Sequence, residues 1–310
     1  MAHFMTALSA AMTAPATVMR GSYTHSGFSC SYQHKAAAPG HESDPPLLLV
    51  HPVGIGLSSW FWTPFLDSWH GGAVWAPDLI GCGQSEAWIP AQKGLFVPLD
   101  WVRQVEALWA CEIRRPTVLV TQGGLAPLGV MAASRDSWSG SRAICGLVLA
   151  SPPVWGDLVE GLKEDEVSRN YRLLTSPLGI PAYSILTTRP FVKFFSDLFL
   201  FASTEQQGCD ERWLEECARE ATPEARAAVL AFNAGLVGLQ PLGERLRSLP
   251  QPVLVLEGDQ DPRRSRRRGF TDEMADCRQL QIEQSKNVLP WEQPAACCAA
   301  IADFAASSCQ

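Results

Sequence analysis

The histidines of this chain are confined to its N-terminal part. All six lie within the first 70 of the 310 residues, and they are His3, His25, His34, His41, His51 and His70. Histidine is the usual general base at neutral pH, because its imidazole titrates at about pH 6.5. Any mechanism that needs a histidine late in the chain is therefore excluded.

An acidic residue followed by a run of arginines is the strongest charge feature. Asp261 stands just before a cluster made up of Arg263, Arg264, Arg266, Arg267 and Arg268. This cluster predicts either a patch that binds an anionic ligand, an acidic partner or a lipid headgroup surface, or a solvated helix face with one arginine paired to Asp261. Charge runs more often face solvent, which favours the second arrangement.

The ten cysteines are scattered, form no C-x-x-C pair and have no histidine near those at the C-terminal end. They indicate small buried residues in a reducing compartment, and they predict no metal site and no cofactor. The chain is accordingly expected to be cytoplasmic. The first 41 residues contain no Asp or Glu, which weakly suggests a transit peptide for a plastid or another organelle. A frayed tail followed by a hairpin at residues 22–33 is the favoured alternative.

Composition excludes several classes of protein. The chain is 46% hydrophobic and 18% charged, with a formal net charge of -7. These values exclude a disordered chain, and the acidic balance argues against a nucleic-acid partner. No apolar run approaches the roughly 20 residues that cross a bilayer, so no transmembrane segment is predicted.

Short apolar runs alternate with helical stretches from Pro45 onward. This alternation predicts an α/β protein with a mostly parallel sheet and helices on both faces. Strands are expected at 47–50, 73–76, 117–120, 144–150, 253–257 and 280–282, and helices at 99–112 and 294–306.

One long segment, residues 152–249, has no clear strand and predicts several helices over the C-terminal edge of the sheet. It carries an apolar stripe that we expect to be mostly core, with some members lining a cavity for a hydrophobic ligand. The stripe consists of Phe191, Phe194, Phe195, Leu198, Phe199, Leu200 and Phe201.

Four segments, in this order and spacing, resemble those of the α/β-hydrolase fold. They are a strand with His51-Pro52-Val53-Gly54, the run from Pro77 to Ser85, a strand with the run from Glu257 to Pro262, and the run from Leu289 to Pro294. The resemblance covers residues 20–306 and implies a central, mostly parallel sheet with an inserted helical lid. It implies a flexible tail at 1–19, a core at 20–151 and 250–310, and a lid at 152–249.

Members of this fold hydrolyse esters with a nucleophile on a strand-to-helix elbow, an acid and a late histidine. The resemblance places Gly123 at the nucleophile position, or Gln122 if the alignment shifts by one residue. Neither side chain can attack a carbonyl. Asp261 stands at the acid position, and Asn287 stands at the position of the histidine, where its amide has no useful basicity. The resemblance therefore implies a site that keeps its acid and lacks its nucleophile and base.

The same resemblance identifies an oxyanion region. The backbone N–H groups of Val53 and Gly124 would hold an anion, a carbonyl oxygen or water, with His51, Gln122 and Trp60 around the pocket. The alternative is a turn kept only for packing. His51 is expected first as a structural histidine beside this loop, and Trp60 fits the core as well as the pocket. These features predict a catalytically degenerate protein that binds a hydrophobic or anionic small molecule, or a protein partner through the arginines or the lid. The alternatives are a lyase or isomerase that uses His51 and Asp261, and a weak esterase.

Overall fold

An eight-stranded sheet forms the centre of the described part of the chain. The structure, a computed structural model, describes residues 17–202, 208–263 and 266–309. Its strands are β1 (Met19–His25), β2 (Phe28–Lys35), β3 (Leu47–Val50), β4 (Val74–Pro77), β5 (Thr117–Gln122), β6 (Ile144–Ala150), β7 (Val253–Gly258) and β8 (Cys277–Ile282). Within the described residues they lie side by side in the order β1-β2-β4-β3-β5-β6-β7-β8.

The first two strands form the hairpin that the sequence predicts. β1 pairs antiparallel with β2, which pairs antiparallel with β4. All pairings that involve β3, β5, β6, β7 and β8 are parallel. The six strands expected after Pro45 are confirmed, each within three residues of its predicted bounds. The fold is thus that of an α/β-hydrolase, with a mostly parallel sheet.

Helices cover both faces of the sheet. They are α1 (Thr63–Ser68), α2 (Leu99–Leu108), α3 (Ala126–Ser139), α4 (Trp155–Glu160), α5 (Glu164–Leu174), α6 (Gly179–Leu186), α7 (Arg189–Phe195), α8 (Glu211–Glu220), α9 (Arg226–Asn233), α10 (Gly243–Arg247), α11 (Gly269–Glu273), α12 (Leu289–Glu292) and α13 (Pro294–Ser308). Leu48 and Val50 of β3 pack into the same core cluster as α2 and α3. Leu47 and Leu49 pack into the opposite cluster with α1 and α13. Both faces of β3 are buried, which explains its continuous apolar sequence.

The segment between β6 and β7 is helical in its described part, as the sequence predicts, and it contains α4 to α10. A one-turn π-helix, Ser196–Leu200, continues α7. None of the helices in the described ranges combines the length and the apolar character needed to cross a membrane.

The cysteines depart from expectation at one place. Cys145 at β6 and Cys309 after α13 form a disulfide, whereas the sequence predicts buried free thiols. Six of the other cysteines are indeed buried and free, and Cys111 is exposed. The disulfide fastens the end of the C-terminal helix to a central strand.

Candidate functional site

The turn after β5 has the geometry of a sharp strand-to-helix elbow. Gln122 is extended, with φ -106° and ψ 133°, whereas Gly123 has φ +61°. That left-handed conformation suits glycine, which has no Cβ to clash with the following carbonyl. A Cβ added at Gly123 would have no atom within 4 Å. The left-handed residue of this turn is therefore Gly123 and not Gln122.

A cavity of about 500 Å³ lies over this elbow. Four positions that the resemblance singles out line it together, and they are Val53, Gly123, Gly124 and Asn287. Three members of the apolar stripe, Phe191, Phe195 and Leu200, line it as well, as the sequence predicts. The rest of the wall is mostly apolar and comes from the loop after β3 and from the helices between β6 and β7, including Leu57, Leu174, Leu186, Phe191, Phe195, Leu200 and Phe232. The cavity thus joins the C-terminal edge of the sheet to the inserted helices.

Val53 and Gly124, which both line the cavity, carry backbone N–H groups without an acceptor in a strand or helix. Among the described residues, the Val53 N–H has no hydrogen-bond partner. The Gly124 N–H belongs to the first helical turn after β5, where N–H groups have no acceptor within the helix. A Cβ at Gly124 would come within 2.6 Å of the Phe232 ring. The ring therefore packs directly on this part of the backbone.

Gln122 does not line the cavity, and it is completely buried. Its side-chain Nε2 donates a 2.6 Å hydrogen bond to the backbone carbonyl of Asn287, while its Oε1 has no partner within the described structure. The prediction that Gln122 lines the pocket is wrong. Its amide instead ties the elbow to the loop that carries Asn287.

His51 also lies outside the cavity, as a structural histidine beside the loop after β3, which is the role that the sequence favours. Its side chain is fully buried. Nδ1 donates to the carbonyl of Pro52 at 2.8 Å, and Nε2 accepts the N–H of Leu79 at 3.0 Å. Because a protonated Nε2 could not accept that bond, the imidazole is neutral, and burial lowers its pKa. The two nitrogens therefore bind the backbone of the loop after β3 and of the loop after β4.

This buried imidazole predicts a specific pH dependence of stability. Below about pH 6.5 the unfolded chain takes up a proton at His51 that the folded chain does not. This contribution to stability is therefore complete above about pH 6.5 and is lost as the pH falls, by up to about 1.4 kcal/mol per pH unit until the lowered folded pKa is reached. Urea unfolding of His51→Gln across this range should show a smaller pH slope than the wild type. The exposed His70→Gln should keep the wild-type slope, and an unchanged slope in His51→Gln would contradict the assignment.

Trp60 belongs to the core and not to the pocket. It is 3% exposed, and its indole N–H donates to the carbonyl of Gly56. Its ring makes edge contacts, at 5.3 Å between centroids, with Trp213 and Trp291. Of the two positions that the sequence leaves open for Trp60, pocket and core, aromatic packing favours the core.

Asp261 is buried but does not line the cavity. It lies at an adjoining hollow that shares Phe195, Leu200 and Asn287 with the cavity. Its Oδ2 accepts a 2.8 Å hydrogen bond from Arg267, and its Oδ1 accepts from the backbone and side chain of Arg263. Burial alone would raise the pKa of this carboxyl, but the hydrogen bonds from Arg263 and the charge of Arg267 outweigh burial and lower it.

Arg267 is the largest departure from the sequence analysis. Its side chain has no exposed surface, and its Nε donates to the carbonyl of Pro152 at 2.7 Å. Nη1 lies 3.6 Å from Glu257 of β7. The residue therefore links the start of the inserted segment to the loop after β7, and it is not part of an anion-binding patch.

The other described arginines of the cluster reach solvent. Arg263 is half-exposed and paired with Asp261, Arg266 and Arg268 are exposed, and Arg264 lies outside the described residues. The arrangement that the sequence favours, with exposed arginines and a pairing to Asp261, is therefore confirmed for the described residues.

Several cavity residues carry no recognisable signal in the sequence. Phe232 and Asn233 of α9, Ser196 and Cys217 join the wall from different helices of the inserted segment. Which face a helix presents to a cavity depends on tertiary packing, so no motif could have identified them. In the parts of the chain that the structure describes, no three His, Cys, Asp or Glu side chains come together to hold a metal ion.

Comparison with known proteins supports the fold assignment. The model of the alpha/beta hydrolase family matches residues 47–300, and no curated protein sequence matches the chain. Similar solved structures include the haloalkane dehalogenase DbeA from Bradyrhizobium elkani USDA94, with a TM-score of 0.69, 20% identity, and coverage of 94% of this chain and 98% of that one.

Two further structures are similar to the same extent. A serine hydrolase involved in carbazole degradation has a TM-score of 0.68 and 17% identity, over 94% of this chain and 99% of that one. A proline iminopeptidase from Mycobacterium smegmatis has a TM-score of 0.65 and 19% identity, over 94% and 98%. At these identities the likeness concerns the fold alone.

Proposed function

Since this chain belongs to the alpha/beta hydrolase family, we propose that it is a catalytically degenerate member, which binds a small molecule in its cavity and does not hydrolyse esters. The observation that carries the proposal is the elbow at Gly123. The backbone has the sharp turn of a nucleophile position and open space for a side chain, yet no side chain is present to attack a carbonyl.

The missing base supports the same conclusion. Asn287 lies on the cavity wall with Gly123, and the sequence has no histidine after residue 70. An amide cannot remove a proton from a hydroxyl near neutral pH. Even a nucleophile placed on the elbow would therefore lack a partner.

Two side chains on the described cavity wall carry a hydroxyl or a thiol, those of Ser196 and Cys217. Neither can replace the missing nucleophile. The Ser196 hydroxyl accepts the indole N–H of Trp213. Burial raises the pKa of the Cys217 thiol, which keeps it protonated and poorly nucleophilic at neutral pH. A weak esterase that relies on either group gains no support from this geometry.

The lyase or isomerase alternative depends on His51 and Asp261. Both nitrogens of His51 are used in structural hydrogen bonds, and Asp261 is paired with Arg263 and Arg267. Neither group lies on the cavity wall. We therefore retain ligand binding as the proposed function.

The cavity wall indicates the chemistry of the ligand. Leu, Phe and Val side chains provide an apolar surface, and in this proposal the N–H groups of the wall residues Val53 and Gly124 provide the donors. A molecule with an apolar body and one carbonyl or carboxylate oxygen matches both features. In this proposal the helices of residues 152–249 act as a lid over the ligand.

Three measurements test the proposal. Purified protein should hydrolyse short-chain aryl esters no faster than buffer, and a fluorophosphonate probe should leave it unlabelled. Native mass spectrometry of protein from its source should detect a retained small molecule. Covalent labelling of the wild type by the fluorophosphonate at a single residue would contradict the proposal.

Filling the cavity should abolish binding of an apolar anion. We expect anilinonaphthalene sulfonate to bind the wild type, and Leu186→Trp to weaken binding at least about tenfold, because the larger ring occupies the cavity. Fluorescence titration measures the change. Leu280→Trp, on the edge strand β8 and away from the cavity, is the matched control and should bind like the wild type. Equal weakening in both variants would count against the site.

A further inference from the structure

The wall of the cavity over the elbow carries no formal charge. Among its described residues there is no Asp, Glu, Lys, Arg or His. Its polar side chains are the hydroxyl of Ser196, the thiol of Cys217 and the carboxamides of Asn233 and Asn287. Burial raises the pKa of the Cys217 thiol, so this group is also neutral at neutral pH. The polar part of the wall is therefore uncharged, and it includes two amides.

The charged groups of the adjoining hollow do not change this. They are Asp261, Arg263 and Lys286, and none of them lines the cavity. Arg263 pairs with Asp261, and the Lys286 ammonium donates a 2.6 Å hydrogen bond to the carbonyl of Leu198. An ionised ligand in the cavity would thus lose hydration without meeting a cation on the described wall. Because that loss is costly, the wall favours an uncharged ligand.

Asn287 is presented to the cavity from a backbone that is held on two sides. Its N–H donates a 3.0 Å hydrogen bond to the carbonyl of Leu200, and its carbonyl accepts the 2.6 Å bond from Gln122. The preceding N–H, that of Lys286, donates to Glu292 at 2.9 Å. No hydrogen bond joins the Asn287 side chain to another described residue. Its amide is therefore held at the wall and available to a ligand.

The elbow leaves room for the polar group of a ligand. A Cβ added at Gly123 would have no atom within 4 Å, whereas a Cβ at Gly124 would meet the Phe232 ring. Gly123 lines the same cavity as Val53 and Asn287. A ligand group can therefore approach the backbone at Gly123 more closely than it could approach an elbow that carries a nucleophile.

We propose that the cavity selects an uncharged carboxamide on an apolar chain, and that Asn287 determines this choice. The proposal rests on the proposed function and names the class of its ligand. The ligand carbonyl accepts hydrogen bonds from the N–H groups of Val53 and Gly124, and the ligand N–H donates to Oδ1 of Asn287. The apolar chain extends among the leucine and phenylalanine side chains of the wall.

Other head groups match the wall less well. The Asn287 amide has both a donor and an acceptor. An ester can use only the donor and leaves Oδ1 unpaired, which costs binding free energy. A carboxylate has the same defect and also brings a charge that the wall does not compensate. Of these three head groups, the carboxamide alone supplies a donor and an acceptor without a charge.

Calorimetric titration with three ligands of equal chain length tests the proposal. Octanamide, methyl octanoate and octanoate are titrated into the full-length protein at neutral pH. Octanamide should bind at least about tenfold more tightly than the other two, since each of them leaves a polar group of the site unpaired. Asn287→Leu should weaken octanamide about tenfold and leave methyl octanoate unchanged. Asn287→Asp should keep octanamide, whose N–H it can accept, and weaken octanoate further by repulsion.

The ester and a second asparagine supply the controls. Asn170 lies on α5 and is exposed, and it does not line the cavity. Asn170→Leu should therefore keep all three affinities. A merely structural role of Asn287 would weaken the amide and the ester alike in Asn287→Leu, whereas the proposed role removes only the preference between them.

Three results would overturn the proposal. They are equal affinities or a preference for octanoate, an amide preference that persists in Asn287→Leu, and no binding of octanamide. The titration with anilinonaphthalene sulfonate judges the proposed function separately. If Leu186→Trp blocks that dye while the protein shows no amide preference, ligand binding in the cavity stands and only the carboxamide assignment is refuted.

Discussion

Asp261→Asn is expected to lower the free energy of unfolding by about 3 kcal/mol while leaving ester hydrolysis at background. The variant removes the closest anionic partner of Arg267, whose side chain is completely buried. Breaking a buried ion pair from one side leaves an uncompensated charge, which typically costs about 3–5 kcal/mol. Glu257, at 3.6 Å from the same guanidinium, offsets part of the loss. In an active hydrolase the same change would reduce activity.

Arg263→Gln is the matched control for this prediction. Arg263 contacts the same carboxylate but is 46% exposed, so its removal should cost no more than about 1 kcal/mol. Urea unfolding at neutral pH measures both variants. Because the folded pKa of Asp261 is lowered, its contribution is present above about pH 4 and is lost as the pH falls through that lowered value. A loss smaller for Asp261→Asn than for Arg263→Gln would contradict the role assigned to Arg267.

Combining Gly123→Ser with Asn287→His should convert an unreactive protein into one that a fluorophosphonate labels. The elbow has open space for the serine side chain, and residue 287 lies on the same cavity wall. A positioned imidazole should accelerate labelling at least about 100-fold over Gly123→Ser alone. Serine at φ +61° should also destabilise the protein by about 1–3 kcal/mol. Mass spectrometry of the labelled protein measures the rate.

Gly123→Ala combined with Asn287→His supplies the control, since it has the same strained backbone and no hydroxyl. It should remain unlabelled. Ester turnover by the reactive variant should stay far below its labelling rate, because Asp261 is paired with arginines and does not orient the new histidine. Failure of the reactive variant to label would refute the assignment of Gly123 and Asn287 to the two degenerate positions.

The sheet could be predicted from the sequence because each parallel strand is a short buried apolar run between turn residues. β3 and β6 have the predicted bounds. The sharp turn after β5 could be placed to within one residue, and Val53, Gly124 and Asn287 line one cavity. These positions follow strand ends, and the carboxyl ends of parallel strands share one edge of the sheet.

Side-chain orientation could not be predicted in the same way. Arg267 lies in a charge run that resembles a solvated surface, yet its guanidinium is buried against Asp261 and Pro152. The apolar stripe resembles core, yet Phe194 and Phe199 are exposed. Arg267 is buried because it contacts Pro152, which is distant in sequence. Phe194 and Phe199 are exposed because no other described element packs on their side of the helix.

The buried pair of Asp261 and Arg267 also has an evolutionary consequence. A lineage that regained a serine at 123 and a histidine at 287 would still have its acid committed to an arginine. A variant in which that carboxylate is released from Arg267 would be a less stable intermediate, since Arg267 also binds the carbonyl of Pro152 at the start of the inserted segment. In the degenerate protein that we propose, a return to hydrolysis would therefore require an additional, destabilising step, the breaking of this ion pair.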